Sequence, residues 1–275
     1  MSEPFQDRPP RARSFLGLEP THNPFRWILP IVTGIAHNGG SIFGGAGLAA
    51  GVEAMEATSG RPVVWATAQY LNHAPLGSVM DLDVTLAVVG HQITQARVVG
   101  RVADLEVLTV NGAFGHRAVP GEGTWALRPT APQPFDCPVR IPRRATDQSI
   151  NQRLEMRIAD GRQPHELANV PSADGRSAMW ARMPGVTAVS AAGLAILGDW
   201  VPFGLGQALG ARASGFSLDN TLRIVQLVPT EWVLLDIRIQ GIRDGFGHGL
   251  VHLWSEDGTL LGTASQTAVL RYWDA

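Results

Sequence analysis

The chain contains no lysine: all 22 of its basic residues are arginine. That absence excludes the lysine nucleophile, the lysine Schiff base and the phosphate-loop lysine of nucleotide-binding enzymes. An anionic ligand would have to be held by arginine, whose planar fork suits phosphate and carboxylate. Cysteine is nearly as scarce, and Cys137 alone can form neither an intramolecular disulfide nor a Cys-x-x-Cys zinc or redox pair, so a reducing, cytoplasmic setting is expected. Excess charge is also missing. A net charge of −2 without a block of like charge gives no electrostatic footprint for nucleic acid. The apolar run MPGVTAVSAAGLAILG at 183–198 is too short to span a bilayer and stops at Asp199. The N-terminal MSEPFQDRPPRARSF has no apolar core of a signal peptide, so no membrane partner is expected.

Familiar catalytic signatures are absent too. There is no Gly-x-Ser-x-Gly elbow, His-Glu-x-x-His pair or EF-hand loop. GLGQALG at 204–210 has the wrong spacing for a dinucleotide loop and reads as close helix packing. The eight histidines, His248 and His252 among them, lack carboxylate or thiol companions at ligand spacing. Neither a metal nor a cofactor is expected.

What the sequence does contain is a core, with 45% hydrophobic residues, and an order of elements that occurs twice. The first half runs from a small-residue helix, SIFGGAGLAAGVEAMEATSG at 41–60, into strand-like stretches at 62–72, 79–90, 92–103 and 105–114. The second runs from a helix expected over 188–211 into stretches at 217–228, 232–240, 246–256 and 259–271. Between them, 116–145 holds six of the 19 prolines and reads as a mobile linker. The expected layout is a tail at 1–24, a unit at 25–115, a linker at 116–150 and a second unit at 151–275. Alternation within the strands favours antiparallel pairing, in which two curved sheets, each wrapped on a helix, join into one layer.

A shift of 153 positions lays the halves over each other and sets Leu82 and Asp83 on Leu235 and Asp236. The same shift puts Val64 opposite Ser217, Ala66 opposite Asp219 and Ala113 opposite Gln266, and Asp199 falls near Gly45 once one residue is inserted. Polar groups in the second half thus face aliphatic or small residues in the first, as expected of a duplicated fold with one surviving site. Each position has an ordinary alternative. Asp199 precedes Pro202 and could cap a helix, Ser217 could be an edge hydroxyl, Asp219 could end a turn after Gly215, and Gln266 could make a routine hydrogen bond in the last strand.

Together, SIFGGAGLAAGVEAM, RPVVWATAQYLNHAPLGSVMDLDV, RLEMRIAD, SAMWARMPG, LAILGDW, FSLDNTLRIV, TEWVLLDIR and EDGTLLGTASQTAVLR resemble, in order, the acyl-CoA thioesterase II family of the TesB type. The resemblance covers nearly the whole chain apart from its tail and linker. It implies an α+β double hotdog fold and hydrolysis of acyl-CoA to a free acid and CoA. It also implies a water activated by Asp199, Ser217 and Gln266, with Asp219 a structural neighbour, and a homo-oligomer. Gly44 and Gly45 are the expected backbone donors to the thioester carbonyl. Two positions depart from the family pattern: Asn220 stands where His is usual, and Thr267 follows Gln266 where Glu is usual. A silent acyl-CoA-binding protein is the alternative. An enoyl-CoA hydratase fits less well, because that chemistry looks for His five residues after the Asp, where this chain has Gly204.

Overall fold

The computed structural model describes residues 12–142, 149–186 and 189–272. In chain order the elements are α1 (Ala12–Leu16), β1 (Glu19–Pro20), β2 (Arg26–Pro30), α2 (Gly44–Ser59), β3 (Val63–Tyr70), β4 (Val79–Val89), β5 (Ile93–Val102) and β6 (Leu105–Gly115). A long connection leads to β7 (Glu155–Asp160), β8 (Arg176–Arg182), α3 (Ala191–Leu197), α4 (Val201–Leu209), β9 (Ala213–Ser217), β10 (Asp219–Ile224), β11 (Val233–Arg243), β12 (Phe246–Ser255) and β13 (Leu260–Tyr272). The strands make one antiparallel sheet in the order β1-β2-β4-β5-β6-β3-β10-β13-β12-β11-β8-β7, with β9 added beside β13. Read outward from its centre, the order is β3, β6, β5, β4, β2 on one side and β10, β13, β12, β11, β8 on the other. The repeat seen in the sequence is therefore also the repeat of the sheet. The two sides meet where β3 pairs with β10, and the Thr67 and Thr221 hydroxyls share a hydrogen bond of 2.7 Å there.

Helix α2 is apolar on nearly every face because it lies inside the curve of the sheet. Leu48, Val52 and Met55 are fully buried, and each such side chain contributes about 1.5–3 kcal/mol over an exposed one. Its small residues let the helix sit close: a Cβ on Gly51 would stand 2.7 Å from the Val110 side chain of β6. The helix stops at Gly60, which takes a left-handed conformation.

Two expected elements are divided. The run 188–211 is two helices, because Pro202 lacks an N–H and its ring would meet the carbonyl of Gly198 in a continuous helix. The strand expected over 217–228 is interrupted at Leu218 and ends at Ile224; Ser217 closes β9 rather than opening β10. Strand β8 is not separable from its surroundings by periodicity, since it is buried on both faces and shows no alternation.

Part of the expected tail is packed, with Phe15, Leu16 and Leu18 buried in the main core. Within the proline-rich segment, expected to be a mobile connection, residues 132–140 are docked. Its backbone bonds to β7 through Ile158 N–H to Pro138 O (2.9 Å) and Arg140 N–H to Met156 O (2.8 Å). Trp180 Nε1 donates to Pro132 O at 2.8 Å, and Cys137 is buried beside Trp180, Trp232 and Trp254. Among the described residues no helix is long and apolar enough to cross a membrane.

Candidate active site

The break between α3 and α4 is what positions the first candidate. Ser190 starts α3 by accepting the Gly193 N–H at 3.1 Å, the helix closes at Gly198, and α4 begins at Val201. Asp199 lies in the break, 3% exposed, with its carboxylate turned toward the start of α2. One oxygen, Oδ2, accepts the Gly45 N–H, and Oδ1 accepts from the side-chain amide of Gln266. A Cβ on Gly45 would lie 2.8 Å from the Ala195 carbonyl and 2.8 Å from the Asp199 Cβ, so only glycine allows this approach. Asp199 does not cap α4. Trp200 holds the capping position, and the Val201 N–H is answered by Gln266 Oε1 at 3.2 Å.

That last bond fixes which way the Gln266 amide faces. With Oε1 on the Val201 N–H, Nε2 is presented to Asp199 and to Ser217 Oγ, the latter at 3.0 Å. Reversed, an amide oxygen would face a carboxylate and an N–H would face an N–H. Asp199, Ser217 and Gln266, drawn from a helix break, a strand end and the last strand, are thus one hydrogen-bonded group.

Ser217 reaches Gln266 because the pairing slips at Leu218. Ser217 is in register with Ala268 and Thr221 with Ser265, which leaves one extra residue on the β9–β10 side. Leu218 N–H still donates to Thr267 O at 2.8 Å, while the Thr267 N–H donates to Asp219 Oδ1 at 2.7 Å. The Asp219 carboxylate therefore replaces a ladder acceptor lost at the bulge and holds Ser217 in place from behind.

Burial pushes the Asp199 carboxyl up to about 7, against the opposing pull of the Gly45 N–H, the Gln266 amide and the Ser217 hydroxyl. A carboxylate poised there can take a proton near neutral pH. It borders a cavity of about 800 Å³ whose walls include Ser217, Gly44 and the rings of Phe43, Tyr70, Trp200, Phe203 and Phe216. Arg140, Arg212 and Arg271 also line it. A cavity of this size and apolar character, with a few convergent polar groups, suits an organic ligand. Of the two glycines expected as carbonyl donors, Gly44 faces the cavity, whereas the Gly45 N–H points at Asp199.

Two residues at the site were not legible as functional. Tyr70, one of only two tyrosines, ends β3 and donates its hydroxyl to the Gly44 carbonyl at 2.7 Å. Asn220, noticed only as a departure from a family pattern, is completely buried on β10 in register with Ala68. Polar residues at strand positions whose neighbours of the same phase are buried, Ala68 beside Tyr70 and Leu222 beside Asn220, are the signal that could have marked both.

Comparisons with known proteins bear on the family and the fold. Residues 129–270 match the family model for the acyl-CoA thioesterase C-terminal domain. A crystal structure from Novosphingobium aromaticivorans, provisionally assigned as a thioesterase, superposes with a TM-score of 0.82 at 34% identity, covering 92% of this chain and 98% of that one. A hot dog fold protein of unknown function from Alicyclobacillus acidocaldarius gives 0.81 at 18% identity over 95% and 98% of the two chains. The acyl-CoA thioesterase II TesB2 of Mycobacterium marinum gives 0.73 at 18% identity over 95% and 98%. A comparison with curated proteins gave no significant match. The fold is thus the hot dog fold, and the protein is a thioester hydrolase. The chain belongs to the TesB-type acyl-CoA thioesterase II family.

Proposed function

We propose that the protein hydrolyses fatty acyl-CoA to a free fatty acid and CoA, with the water held by Asp199, Ser217 and Gln266. The observation that carries this reading is the single amide of Gln266, which bonds both the buried carboxylate and the serine hydroxyl at the wall of the cavity. A water entering between these groups gives a proton to Asp199 as its oxygen attacks the thioester carbon. The C–S bond then breaks, and Asp199 returns the proton to the departing CoA thiolate. Base assistance contributes about 10²–10⁴ in rate and one oxyanion donor about 10²–10³. Gly44 is the favoured donor, since the Gly45 N–H is already engaged by Asp199. The acyl tail lies against the aromatic walls, and Arg140, Arg212 and Arg271 of the cavity offer permanently charged guanidinium groups to phosphate.

The test is release of free thiol from acyl-CoA esters of graded chain length. Turnover with saturable kinetics supports the reading; tight binding without thiol release would favour a silent acyl-CoA carrier, and hydration of enoyl-CoA without hydrolysis would favour a hydratase.

The same reading treats the chain as a double hotdog, with units at 25–115 and 151–275 joined through 116–150, a view supported by the sheet order running alike outward from β3–β10. It includes a cytoplasmic location and a homo-oligomer, in which copies of the chain cover the edge strands at the sheet's two ends. Light scattering at micromolar concentration is expected to give a multiple of 29.4 kDa; a monomer mass removes the oligomer proposal.

A further inference from the structure

The peptide unit between Gly44 and Gly45 is held at both ends. Its carbonyl accepts the Tyr70 hydroxyl at 2.7 Å, and its N–H donates to Asp199 Oδ2. A peptide group is planar, so fixing the direction of the C=O fixes the direction of the N–H on the opposite side. We propose that Tyr70 is a positioning residue of the hydrolytic site: by bonding the Gly44 carbonyl it aims and polarises the Gly45 N–H that holds Asp199. Its catalytic consequence rests on the reading of Asp199 as the base.

Two further observations support the assignment. A Cβ on Gly44 would lie 2.9 Å from Asp199 Oδ2 and 3.2 Å from the Tyr70 Oη, so the phenol, the peptide and the carboxylate converge on one point that no other residue type would leave open. The phenol remains a donor throughout the working pH range, because burial, and then the charges of Asp199 and Asp219, hold its pKa well above the ordinary value. A hydrogen bond to the carbonyl side of an amide also polarises its N–H, which strengthens the bond on the far side.

The direction of the effect follows. The Gly45 N–H favours the charged form of Asp199. Weakening it raises the carboxyl's pKa further, so a variant without the phenol oxygen has less base available below and around neutrality and recovers as pH rises.

Tyr70→Phe keeps the ring and removes the oxygen. With 13C-labelled aspartate, the Asp199 carboxyl resonance is assigned by its loss in Asp199→Asn and titrated in wild type and in Tyr70→Phe. The expected midpoint is higher in the variant. The expected kcat/KM deficit is about three- to tenfold below the midpoint and shrinks above it, corresponding to one hydrogen bond. As a second variant, 3-fluorotyrosine is incorporated in a Tyr272→Phe background, so that Tyr70 is the only site labelled; the more acidic phenol is a stronger donor and is expected to move the midpoint down. An unchanged Asp199 midpoint in both overturns the proposal, as does a deficit that is uniform with pH, which is what a packing role alone would give. If Asp199→Asn retains full turnover, the base reading fails, while the midpoint comparison still decides the role of Tyr70.

Discussion

Asp199→Asn is expected to lower kcat by about 10²–10⁴ with little change in KM, because the amide keeps the size of the carboxylate but cannot take a proton from water. Binding of acyl-CoA survives, since the cavity walls are untouched. Gln266→Ala and Ser217→Ala are expected to cost less, each removing part of what orients the water, and to add little when combined with Asp199→Asn because the three act as one unit. Asp219→Asn is the control: its carboxylate completes the strand ladder at Thr267, so it should lower stability more than turnover. Full activity in Asp199→Asn together with loss in Asp219→Asn would reverse the two roles.

The pH dependence is a second signature of the same residue. With the Asp199 carboxyl near 7, kcat/KM of the wild type rises through neutrality on its acidic limb, and Asp199→Asn removes that limb. Stability moves the other way. A carboxyl whose pKa is raised in the folded state binds its proton more tightly there than in the unfolded chain. Its favourable contribution is complete below the ordinary carboxylate pKa and is lost as pH rises through about 7. The Tm of Asp199→Asn measured against wild type should therefore improve between pH 5 and pH 8, a trend thermal unfolding at several pH values can check.

How far the sequence revealed this site depended on the range of the interactions involved. Asp199, Ser217 and Gln266 stood out because each broke an apolar or small-residue pattern that its counterpart in the other half kept, and the resemblance to the acyl-CoA thioesterase II family is what grouped them. What joins them was not legible. The Gln266 amide is oriented by a helix N–H 65 residues away, and the Asp199 carboxylate by a glycine 154 residues away. Helix 188–211 was read through its break because the residues flanking Asp199 are as apolar as the helices themselves, and Pro202 was weighed only as a possible helix start. The β9–β10 slip escaped notice for a different reason. An extra residue at Leu218 shifts the phase by one, and a period-2 reading begun at Thr221 is correct for β10 yet carries no information about β9. The docked linker shows the limit of composition: prolines and charges described the segment as loose, while Pro132, Cys137 and Pro138 are held by the indole, tryptophan cluster and strand of the sheet they lie against.

Gly45→Ala tests whether that glycine is there for the close approach of two helices. Inside a helix, Ala is favoured over Gly by about 0.5–1 kcal/mol, so propensity alone predicts a gain. Sterics oppose it: the new methyl would stand 2.8 Å from the Ala195 carbonyl, 2.8 Å from the Asp199 Cβ and 3.0 Å from the Ile196 Cα. Two of these are backbone atoms of α3, which cannot turn aside as a side-chain end can, so α2 and α3 must separate, at an overpacking cost of about 1–3 kcal/mol that outweighs the propensity gain. The separation lengthens the Gly45–Asp199 bond and shifts the carboxylate relative to Ser217 and Gln266. A displacement near 1 Å at a reacting group costs about 10²-fold in rate, so kcat should fall by that order as Tm falls. Gly51→Ala, one turn and a half further along the same helix, supplies the comparison. Its methyl meets only the Val110 side chain, at 2.7 Å, well away from Asp199, so it should lose some stability but keep kcat near wild type. Equal kcat in the two variants would mean that the approach of α2 to Asp199 is not what the glycine secures, and that the carboxylate keeps its place by its bonds to Gln266 alone.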